Sequence, residues 1–474
     1  MPLDTLLTPT YLATLALLGI YGAHRLVLLT RFRWKAERKE PVQTSDELPR
    51  VTVQLPLFNE RTVAARLIRA AEALDYPADR IEIQILDDSS DETIGIVDAE
   101  VARLRALGRD VSVFRRTDRS GFKAGALDAG LARASGELIT IFDADFVPDP
   151  DFLRRTVGWF ADPRIGLVQA RWGHRNRDDT LLTRAQSTLL DGHFVIEHKV
   201  RFDTGAFFNF NGTAGVWRRE AISTSGGWQH DTLTEDLDLS YRAQLAGWRF
   251  IYVPRVVAPA EVPPDIAAFK SQQHRWAKGS VQVLRKLGWR LIVSKEPLAV
   301  KLEALAHLSG NVGYPCVLLL ALLLPLSPHA AQILPDWVHA LLFAVCTLSV
   351  FLFYERSQSA IDRPWRLRWK DIFAAVSLGI GMCVSQTRAV VEGLLPGTGT
   401  FVRTPKRGDA PSAKRYRAAL KGLPGIELLL AAWLAVGLVI AVQNEHWGSL
   451  PFLLLFCVSF TWVGTLSLRV WLRG

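Results

Sequence analysis

Apolar segments long enough to cross a membrane are the feature that most constrains this chain. A helix needs about 20 apolar residues to cross the hydrocarbon core of a bilayer. Stretches near that length occur on both sides of residues 50–301 and not within them. They are Thr10–Thr30, Leu305–Leu326, Trp337–Tyr354, Asp371–Leu395, Leu423–Val442 and Leu450–Leu468. The sequence therefore predicts an integral, multi-pass membrane protein with a water-soluble domain inserted between its membrane segments.

The positive charges lie beside these apolar segments. The chain of 474 residues has a net charge of +9, and its arginines and lysines cluster after Thr30, after Tyr354 and between Leu395 and Leu423. Such clusters mark the cytoplasmic side of a membrane protein. The soluble domain is therefore predicted to be cytoplasmic, at the plasma or inner membrane. This distribution favours membrane lipids over nucleic acid as the partner of the basic loops.

The charge pattern predicts five spans. If Asp371–Leu395 crossed the membrane, the basic loop Thr398–Lys421 would lie outside, against the charge rule. This stretch is therefore predicted to be an amphipathic helix along the cytoplasmic interface, and six spans are the alternative. The predicted domains are an anchor with a basic linker (1–49), a cytoplasmic domain with interface helices (50–300) and a membrane region (301–474). Residues 371–421 of the last would hold the interface helix and a cytoplasmic loop.

Strands and helices alternate in the soluble domain. Short apolar runs typical of buried strands are separated by helical patterns, with short connections between them. The predicted strands are Val51–Leu55, Ile81–Leu86, Val111–Phe114 and Leu138–Phe142; the predicted helices are Glu60–Leu74, Thr93–Leu107 and a third from Gly121. This alternation predicts a doubly wound, largely parallel α/β sheet.

Polar residues follow three of the predicted strands. They are Asn59 and Glu60, then Asp87 and Asp88, then Asp143 and Asp145. The carboxyl ends of parallel strands meet in one crevice, where ligands bind. Carboxylates there suit Mg²⁺ or Mn²⁺, with phosphate oxygens completing the shell. The sequence has neither a Gly-x-Gly-x-x-Gly fingerprint nor a Walker lysine, so it does not indicate a dehydrogenase or a P-loop ATPase.

Thr234-Glu235-Asp236 precedes a helical run, Leu237 to Leu245. One interpretation is structural: Thr234 caps the helix and the acids suit its dipole. The other makes Asp236 a general base that takes a proton from an attacking hydroxyl. The sequence alone leaves both open.

Two further segments have alternative interpretations. Gln272-Gln-His-Arg275-Trp276 could hold a diphosphate and stack a sugar, or form a basic amphipathic helix on lipid headgroups. The aromatic turn Phe207–Gly215 could line the path of an acceptor, or pack its own aromatic side chains.

The ordered set of these motifs resembles the membrane-embedded family 2 glycosyltransferases, which include cellulose and hyaluronan synthases. The set is Asp87-Asp88, Asp143-Ala-Asp145, Thr234-Glu-Asp236 and Gln272-x-x-Arg275-Trp276. Segments such as VQLPLFNER, IFDADFVPDPDFLRRTV, FNGTAGVWR and QQHRWAKGS are most similar to plant cellulose-synthase-like mannan and glucan synthases and their bacterial relatives. The resemblance is dense from about Arg50 to Ser280 and looser in the membrane part.

This resemblance implies a GT-A catalytic domain with a doubly wound mixed sheet, joined to a transmembrane helical region, with a divalent cation, Mg²⁺ or Mn²⁺, as cofactor. It implies that Asp143 and Asp145 hold the metal, and that Asp236 is the base, with Glu235 and Thr234 beside it. It implies nucleotide-sugar contacts at Pro56, Asn59, Glu60, Asp87, Asp88, Lys123 and Asp143. It implies acceptor or diphosphate contacts at Gln272, Arg275, Trp276, Gly212, Thr404 and Lys406.

Phe401 to Lys406 is similar to the gating loop of the family, although Arg403 replaces a valine there. The implied activity is inverting, processive transfer of mannose or glucose, from GDP-mannose or UDP-glucose, to a growing β-glycan that is exported through the membrane. One alternative is a glycolipid synthase acting on ceramide or diacylglycerol, with a lipid as acceptor. Another is a non-catalytic export scaffold, and the intact Asp143, Asp145, Asp236 and Arg275 argue against it.

Overall fold

A seven-stranded sheet forms the centre of the domain that lies between the apolar segments in sequence. The computed structural model describes residues 4–34, 48–326, 336–397, 406, 408 and 425–472. The strands are β1 (Val51–Leu57), β2 (Ile81–Asp87), β3 (Val111–Phe114), β4 (Leu138–Ile141), β5 (Ile165–His174), β6 (Gly215–Arg218) and β7 (Arg249–Ala260). The first four are the strands that the sequence predicts.

The sheet is mixed, in the order β3-β2-β1-β4-β6-β5-β7. Strands β3, β2, β1 and β4 run parallel, with Val51 opposite both Ile81 and Leu138. Strand β6 runs antiparallel to its neighbours β4 and β5, whereas β5 and β7 are parallel. This is the predicted doubly wound mixed sheet, and the carboxyl ends of β1, β2 and β4 meet at one edge.

Strand β1 is buried on both faces. Val51, Val53 and Leu55 belong to a hydrophobic core on one side of the sheet. On the other side Thr52 Oγ1 donates to Glu82 Oε2 at 2.8 Å, and a second polar pair links the same two strands. Because buried polar groups are costly unless they are paired, these bonds allow polar residues inside the sheet.

Helices cover the sheet on both faces. They are α2 (Ala64–Glu72), α3 (Thr93–Ala106), α4 (Phe122–Leu131), α5 (Phe152–Thr156), α6 (Leu181–Asp191), α7 (Lys199–Thr204), α8 (Arg219–Thr224), α9 (Glu235–Leu245) and α10 (Ile266–Val293). A π-helical segment, Gly192–His198, joins α6 to α7. The helix predicted over Glu60–Leu74 is shorter, because a turn in which Asn59 has φ 55° precedes it.

Thr234 does not cap α9 as one interpretation predicts. It is the N-cap residue, but its side chain makes no capping hydrogen bond. A Cβ built on Gly279 of α10 would lie 2.4 Å from Thr234 Cγ2. The threonine side chain therefore packs against α10 instead of turning back to the start of α9.

The remaining helices are apolar. They are α1 (Asp4–Arg31), α11 (Leu298–Ser309), α12 (Gly313–Leu323), α13 (Asp336–Ala360), α14 (Trp365–Gly381), α15 (Cys383–Leu394), α16 (Ile426–Gln443) and α17 (Leu450–Leu472). Within the described part of the chain, four helical segments are long and apolar enough to cross a membrane: Leu7–Arg31, Leu298–Leu326, Ile426–Gln443 and Leu450–Leu472.

The prediction of one helix over Asp371–Leu395 is wrong. The stretch holds two helices, α14 and α15, bent by 50° at Met382. Taken together the pair is long and apolar enough to count as a fifth span. The predicted span Trp337–Tyr354 lies within α13, which has 25 residues. The number of spans and the side of the membrane stay predictions.

Candidate active site

One open cleft, of about 1300 Å³ including the solvent at its mouth, lies at the carboxyl ends of β1, β2 and β4. It is closed on the other side by the start of α9 and the middle of α10. Most of the predicted site residues line it: Pro56, Glu60, Asp88, Lys123, Asp143, Asp145, Gly212, Thr234, Glu235, Asp236, Gln272, Arg275, Trp276 and Lys406. Residues more than 300 positions apart in the sequence thus meet in one place.

Three predicted site residues do not line the described cleft. Asp87 is 1% exposed, and its Oδ2 accepts from Arg115 Nε at 2.9 Å. Asn59 joins the ends of β1 and β2, because its N–H donates to Ser89 Oγ at 2.9 Å. Thr404, like most of the predicted gating loop, lies outside the described residues. The roles of all three as contact residues stay predictions.

Arginines hold the acidic end of β2. Asp88 accepts two hydrogen bonds from Arg116, at 3.1 and 2.5 Å, and both side chains are largely buried. Arg119 lies 3.8 Å from the same carboxylate, and its guanidinium stacks 3.3 Å from the centre of the Phe58 ring. A planar, paired arginine on an aromatic face is a rigid arrangement. The sequence analysis missed Arg116, Arg119 and Phe58.

A lysine holds the first carboxylate after β4. Lys123 Nζ lies 2.5 Å from Asp143 Oδ1 and donates to the Gly212 carbonyl at 2.8 Å. The Asp143 N–H donates to Thr213 Oγ1 at 2.9 Å. Burial of Lys123 lowers its pKa, but the charges of Asp143 and Glu235 outweigh burial and raise it. Lys123 is therefore a fixed positive charge in the cleft.

A second lysine holds the other carboxylate. Lys406 Nζ lies 2.8 Å from Asp145 Oδ2, which also accepts from the Glu261 N–H at 3.2 Å. Glu261 in turn pairs with Arg66 at 2.6 Å and accepts from the Gly408 N–H at 3.0 Å. Glu261 lines the cleft. The sequence analysis did not find it, because β7, the strand that it follows, was not among the predicted strands.

Asp143 and Asp145 fit a divalent cation. No group of three or more His, Cys, Asp or Glu side chains suited to hold a metal occurs among the described residues. Two carboxylates are sufficient for Mg²⁺ or Mn²⁺ when substrate phosphates supply the remaining oxygens. Each carboxylate already faces a cation, a lysine ammonium, in the cleft. The site therefore has two hard oxygen donors for such an ion.

Asp236 has the properties of a base. Burial, and next the charge of Glu235, raise its pKa to about 7, although Lys123 opposes them. Its Oδ1 accepts from the Leu237 N–H at 2.8 Å. A Cβ built on Gly212, whose φ is +79°, would lie 2.9 Å from Asp236 Oδ2. The loop thus comes this close to the carboxylate only because residue 212 is glycine.

Helix α10 presents three side chains to the cleft from one face, because Gln272, Arg275 and Trp276 are three and four residues apart. Burial lowers the pKa of Arg275, and the nearby Glu235, Asp143 and Asp236 carboxylates oppose this. A guanidinium stays charged in proteins. Arg275 therefore places a positive charge in the cleft, close enough to Asp143 and Asp236 to interact with their carboxylates.

Two tryptophans that line the cleft are in contact with each other. Their rings, Trp276 on α10 and Trp172 on β5, are 6.2 Å apart, and Phe146 lies 5.2 Å from Trp172. Aromatic faces of this kind suit the apolar side of a sugar ring. Further along α10, Trp289 is 73% exposed. The side chains that line the cleft and the exposed Trp289 thus lie on different parts of one helix, and both interpretations stay predictions.

The aromatic turn packs its own side chains and also reaches the cleft. Phe207, Phe208 and Phe210 are buried, so the turn packs its own aromatic side chains. Asn211 and Gly212 at its end line the cleft. The sequence analysis included Gly212 in the site and missed Asn211.

Comparisons with known proteins agree with this geometry. Residues 138–354 match the family model described as "Glycosyl transferase family group 2". The chain is 36% identical to "Glucomannan 4-beta-mannosyltransferase 2" of Arabidopsis thaliana, over 85% of this chain and 77% of that protein. It is also 36% identical to "Probable glucomannan 4-beta-mannosyltransferase 3" of Oryza sativa subsp. japonica, over 79% and 69%.

A solved structure shares the fold. "Mannosyltransferase PcManGT from Pyrobaculum calidifontis in complex with GDP-Man and Mn2+" superposes with a TM-score of 0.56 and 23% identity. The match covers 81% of this chain and 99% of that chain. The predicted GT-A architecture is therefore confirmed.

Proposed function

We propose a function for this chain from the family to which it belongs, the glucomannan 4-beta-mannosyltransferases among the family 2 glycosyltransferases. It transfers mannose from GDP-mannose to the end of a growing β-glycan, with inversion at the anomeric carbon. The names of its relatives support mannose, and the GDP-Man complex of its structural neighbour supports the donor.

The observation that carries this proposal is the position of Asp236. A half-buried carboxylate with a pKa of about 7 lies in the same cleft as Arg275 and two lysine-paired aspartates. A base is most efficient when its pKa is near the working pH. Positive groups beside it suit a diphosphate leaving group. Base and leaving-group contacts in one cleft are what a glycosyl transfer requires.

The donor binds with its nucleoside towards Asp88 and its diphosphate towards Asp143 and Asp145. Lys123 and Arg275 contact the diphosphate as fixed positive charges. A divalent cation, Mg²⁺ or Mn²⁺, held by Asp143 and Asp145 would neutralise the charge that develops on the leaving diphosphate. The sugar then lies between the diphosphate contacts and Asp236.

The transfer is one displacement. Asp236 takes the proton of an acceptor hydroxyl, whose oxygen attacks the anomeric carbon from the face opposite the diphosphate. The bond from that carbon to the acceptor oxygen forms as its bond to the diphosphate oxygen breaks, and GDP leaves. Arg275 stabilises the developing charge, and Trp276 and Trp172 stack the acceptor sugar. The proton stays on Asp236 until GDP and product have moved.

The product is elongated repeatedly and exported through the adjacent apolar helices. This proposal is supported by α10, which leads from the cleft to the candidate span Leu298–Leu326, and by the long alignment with the glucomannan enzymes. Lipid headgroups surround the basic loops.

The test is product analysis. Purified full-length protein in lipid vesicles receives radiolabelled GDP-mannose or UDP-glucose with Mg²⁺ or Mn²⁺. We expect a long polymer from GDP-mannose that a β-mannanase degrades, and none from Asp236→Asn. A short product soluble in organic solvent would contradict processive synthesis and indicate a glycolipid. In sealed vesicles, polymer that stays on the donor side would contradict export.

A further inference from the structure

A second polar cluster lies beside the cleft, in the π-helical segment Gly192–His198, and the mechanism above does not use it. Such segments are rare and occur frequently at functional sites. His193 and Glu197 are four residues apart in this segment, and His193 Nδ1 lies 3.0 Å from Glu197 Oε2. The π-segment thus presents an imidazole fixed by a carboxylate.

His193 also contacts a residue of the cleft. Its Nε2 lies 3.0 Å from Asn211 Nδ2. Because the Glu197 carboxylate only accepts hydrogen bonds, the ring hydrogen lies on Nδ1, and Nε2 is left as an acceptor. The amide NH₂ of Asn211 donates to Nε2, so its carbonyl Oδ1 is turned away from the ring. His193 thereby fixes the orientation of the Asn211 amide.

The Asn211 carbonyl oxygen lacks a partner. Oδ1 is buried and accepts no hydrogen bond from the part of the chain that the structure describes. An unpaired buried acceptor costs about 1–3 kcal/mol, and a ligand hydroxyl would remove that cost. Asn211 precedes Gly212, which approaches Asp236 closely. Asn211 therefore lies in the lining of the cleft, next in sequence to the glycine that approaches the base.

The cluster continues away from the cleft into the apolar helices. Arg201 Nη1 lies 3.4 Å from Glu197 Oε2, and Arg201 Nε donates to Glu303 Oε1 at 3.0 Å. Glu303 Oε2 lies 2.8 Å from His24 Nε2 on α1. Burial opposes ionisation of Glu197, but the Arg201 charge and His193 hold its pKa well below the usual range. Glu197 therefore stays ionised and keeps the hydrogen on His193 Nδ1.

We infer that His193 is a positioning residue for glycosyl transfer: it fixes the Asn211 amide so that Oδ1 accepts a hydrogen bond from a hydroxyl of the acceptor sugar. This inference rests on the proposed function, since it takes the acceptor to be a glycan. The contact is made to the acceptor and not to the nucleotide. Its loss therefore weakens acceptor binding and leaves donor binding unchanged.

Two amide variants test this inference. In His193→Gln the side-chain amide reaches the position of Nε2 and keeps an acceptor for Asn211, whereas in His193→Asn it reaches only that of Nδ1. Full-length protein in lipid vesicles is assayed with GDP-mannose and a β-mannan oligosaccharide. We expect the acceptor KM to rise about tenfold in His193→Asn, the loss of one hydrogen bond, and less than about threefold in His193→Gln. The donor KM should stay within about twofold in both.

His198→Gln is the matched control. His198 is fully buried in the same π-segment, and its Nε2 lies 3.0 Å from the carbonyl of Asn209 and not from a cleft side chain. It should lower the midpoint of thermal unfolding as much as the His193 variants while changing the acceptor KM less than about twofold.

Equal acceptor KM values in His193→Asn and His193→Gln would overturn the inference, as would parallel increases in donor and acceptor KM. If neither variant folds, Asn211→Asp, which keeps an oxygen at the Oδ1 position, is compared with Asn211→Leu. A tenfold higher acceptor KM in Asn211→Leu alone supports the inference, and equal values overturn it.

Wild-type protein that transfers no sugar to any glycan refutes both this inference and the proposed function, whereas equal acceptor KM values in active variants refute only the inference.

Discussion

The aspartate that follows β2 and the two that follow β4 pair with different cationic side chains. Asp88 after β2 accepts two bonds from the planar guanidinium of Arg116, whereas Asp143 and Asp145 after β4 each meet one lysine ammonium. A guanidinium fixes both carboxylate oxygens, and an ammonium is a point charge on a flexible stem. The end of β2, where we propose that the nucleoside binds, is therefore rigid, whereas the end of β4 can exchange its lysine ammonium groups for the cations of the proposed substrate.

Asp236→Asn removes the proposed base and should have the largest effect on the rate of transfer. We expect kcat to fall on the order of 10³-fold, since general base catalysis contributes about 10²–10⁴. Donor affinity, measured by binding of GDP, should change little. Asp231→Asn is the control, because Asp231 pairs with Lys286 outside the cleft lining. Equal losses in the two variants would contradict the assignment of the base.

Asp145→Asn tests whether the lysine-held end exchanges cations. We expect a loss of about 100-fold in kcat/KM, partly restored by raising the concentration of Mn²⁺ or Mg²⁺, because one hard ligand is lost. The measurement is transfer rate against metal concentration. Asp88→Asn should weaken donor binding without changing the metal dependence. If Asp145→Asn and Asp88→Asn showed the same dependence on metal concentration, the carboxylates after β4 and after β2 would not differ in their ability to exchange cations.

The pH profile tests the electrostatics of the reacting end. Asp236 with a pKa of about 7 is protonated below pH 7 and acts as a base above it. Log kcat/KM should therefore rise with a slope near one up to about pH 7 and then level off. Because the charge of Glu235 raises this pKa, Glu235→Gln should move the inflection to lower pH. A profile without an inflection between pH 5 and 8 would contradict this.

Arg116→Lys replaces the bidentate guanidinium contact with Asp88 by an ammonium point charge and should have the smallest effect on the kinetics of transfer. We expect the KM for donor to rise about fivefold with kcat within about twofold, because the bidentate contact on Asp88 is lost. Arg115→Lys is the matched control, since Arg115 pairs with Asp87 away from the cleft. A donor KM that is unchanged in Arg116→Lys would show that the rigid end is not needed for donor binding.

The residues at the strand ends were predictable from the sequence, because the carboxyl ends of parallel strands lie at the same edge of a sheet. Asp88, Asp143 and Asp145 follow apolar runs, and the rule for parallel sheets places them in one crevice. Asp236 and Arg275 were found through the resemblance to a family, since local patterns at these positions suit an ordinary helix start or an amphipathic helix equally well.

Other residues depend on tertiary packing, which local patterns do not specify. Arg119 and Phe58 come together only when β1, β2 and β3 pair, and Glu261 enters the cleft at the end of β7. The antiparallel strand β6 breaks the repeat on which the parallel prediction depended. Thr234 fits a capping rule, but its contact with Gly279, 45 positions later, decides its conformation.

Helix α10 fixes the distance between the cleft and the exposed Trp289. It has 28 residues, and the 13 residues from Trp276 in the cleft to the exposed Trp289 correspond to about 20 Å of helix at 1.5 Å per residue. Four residues separate its end from Leu298, where α11 starts the candidate span. In the proposed function, with Trp289 at the lipid interface, the length of this one helix would set the height above the bilayer at which each sugar is added.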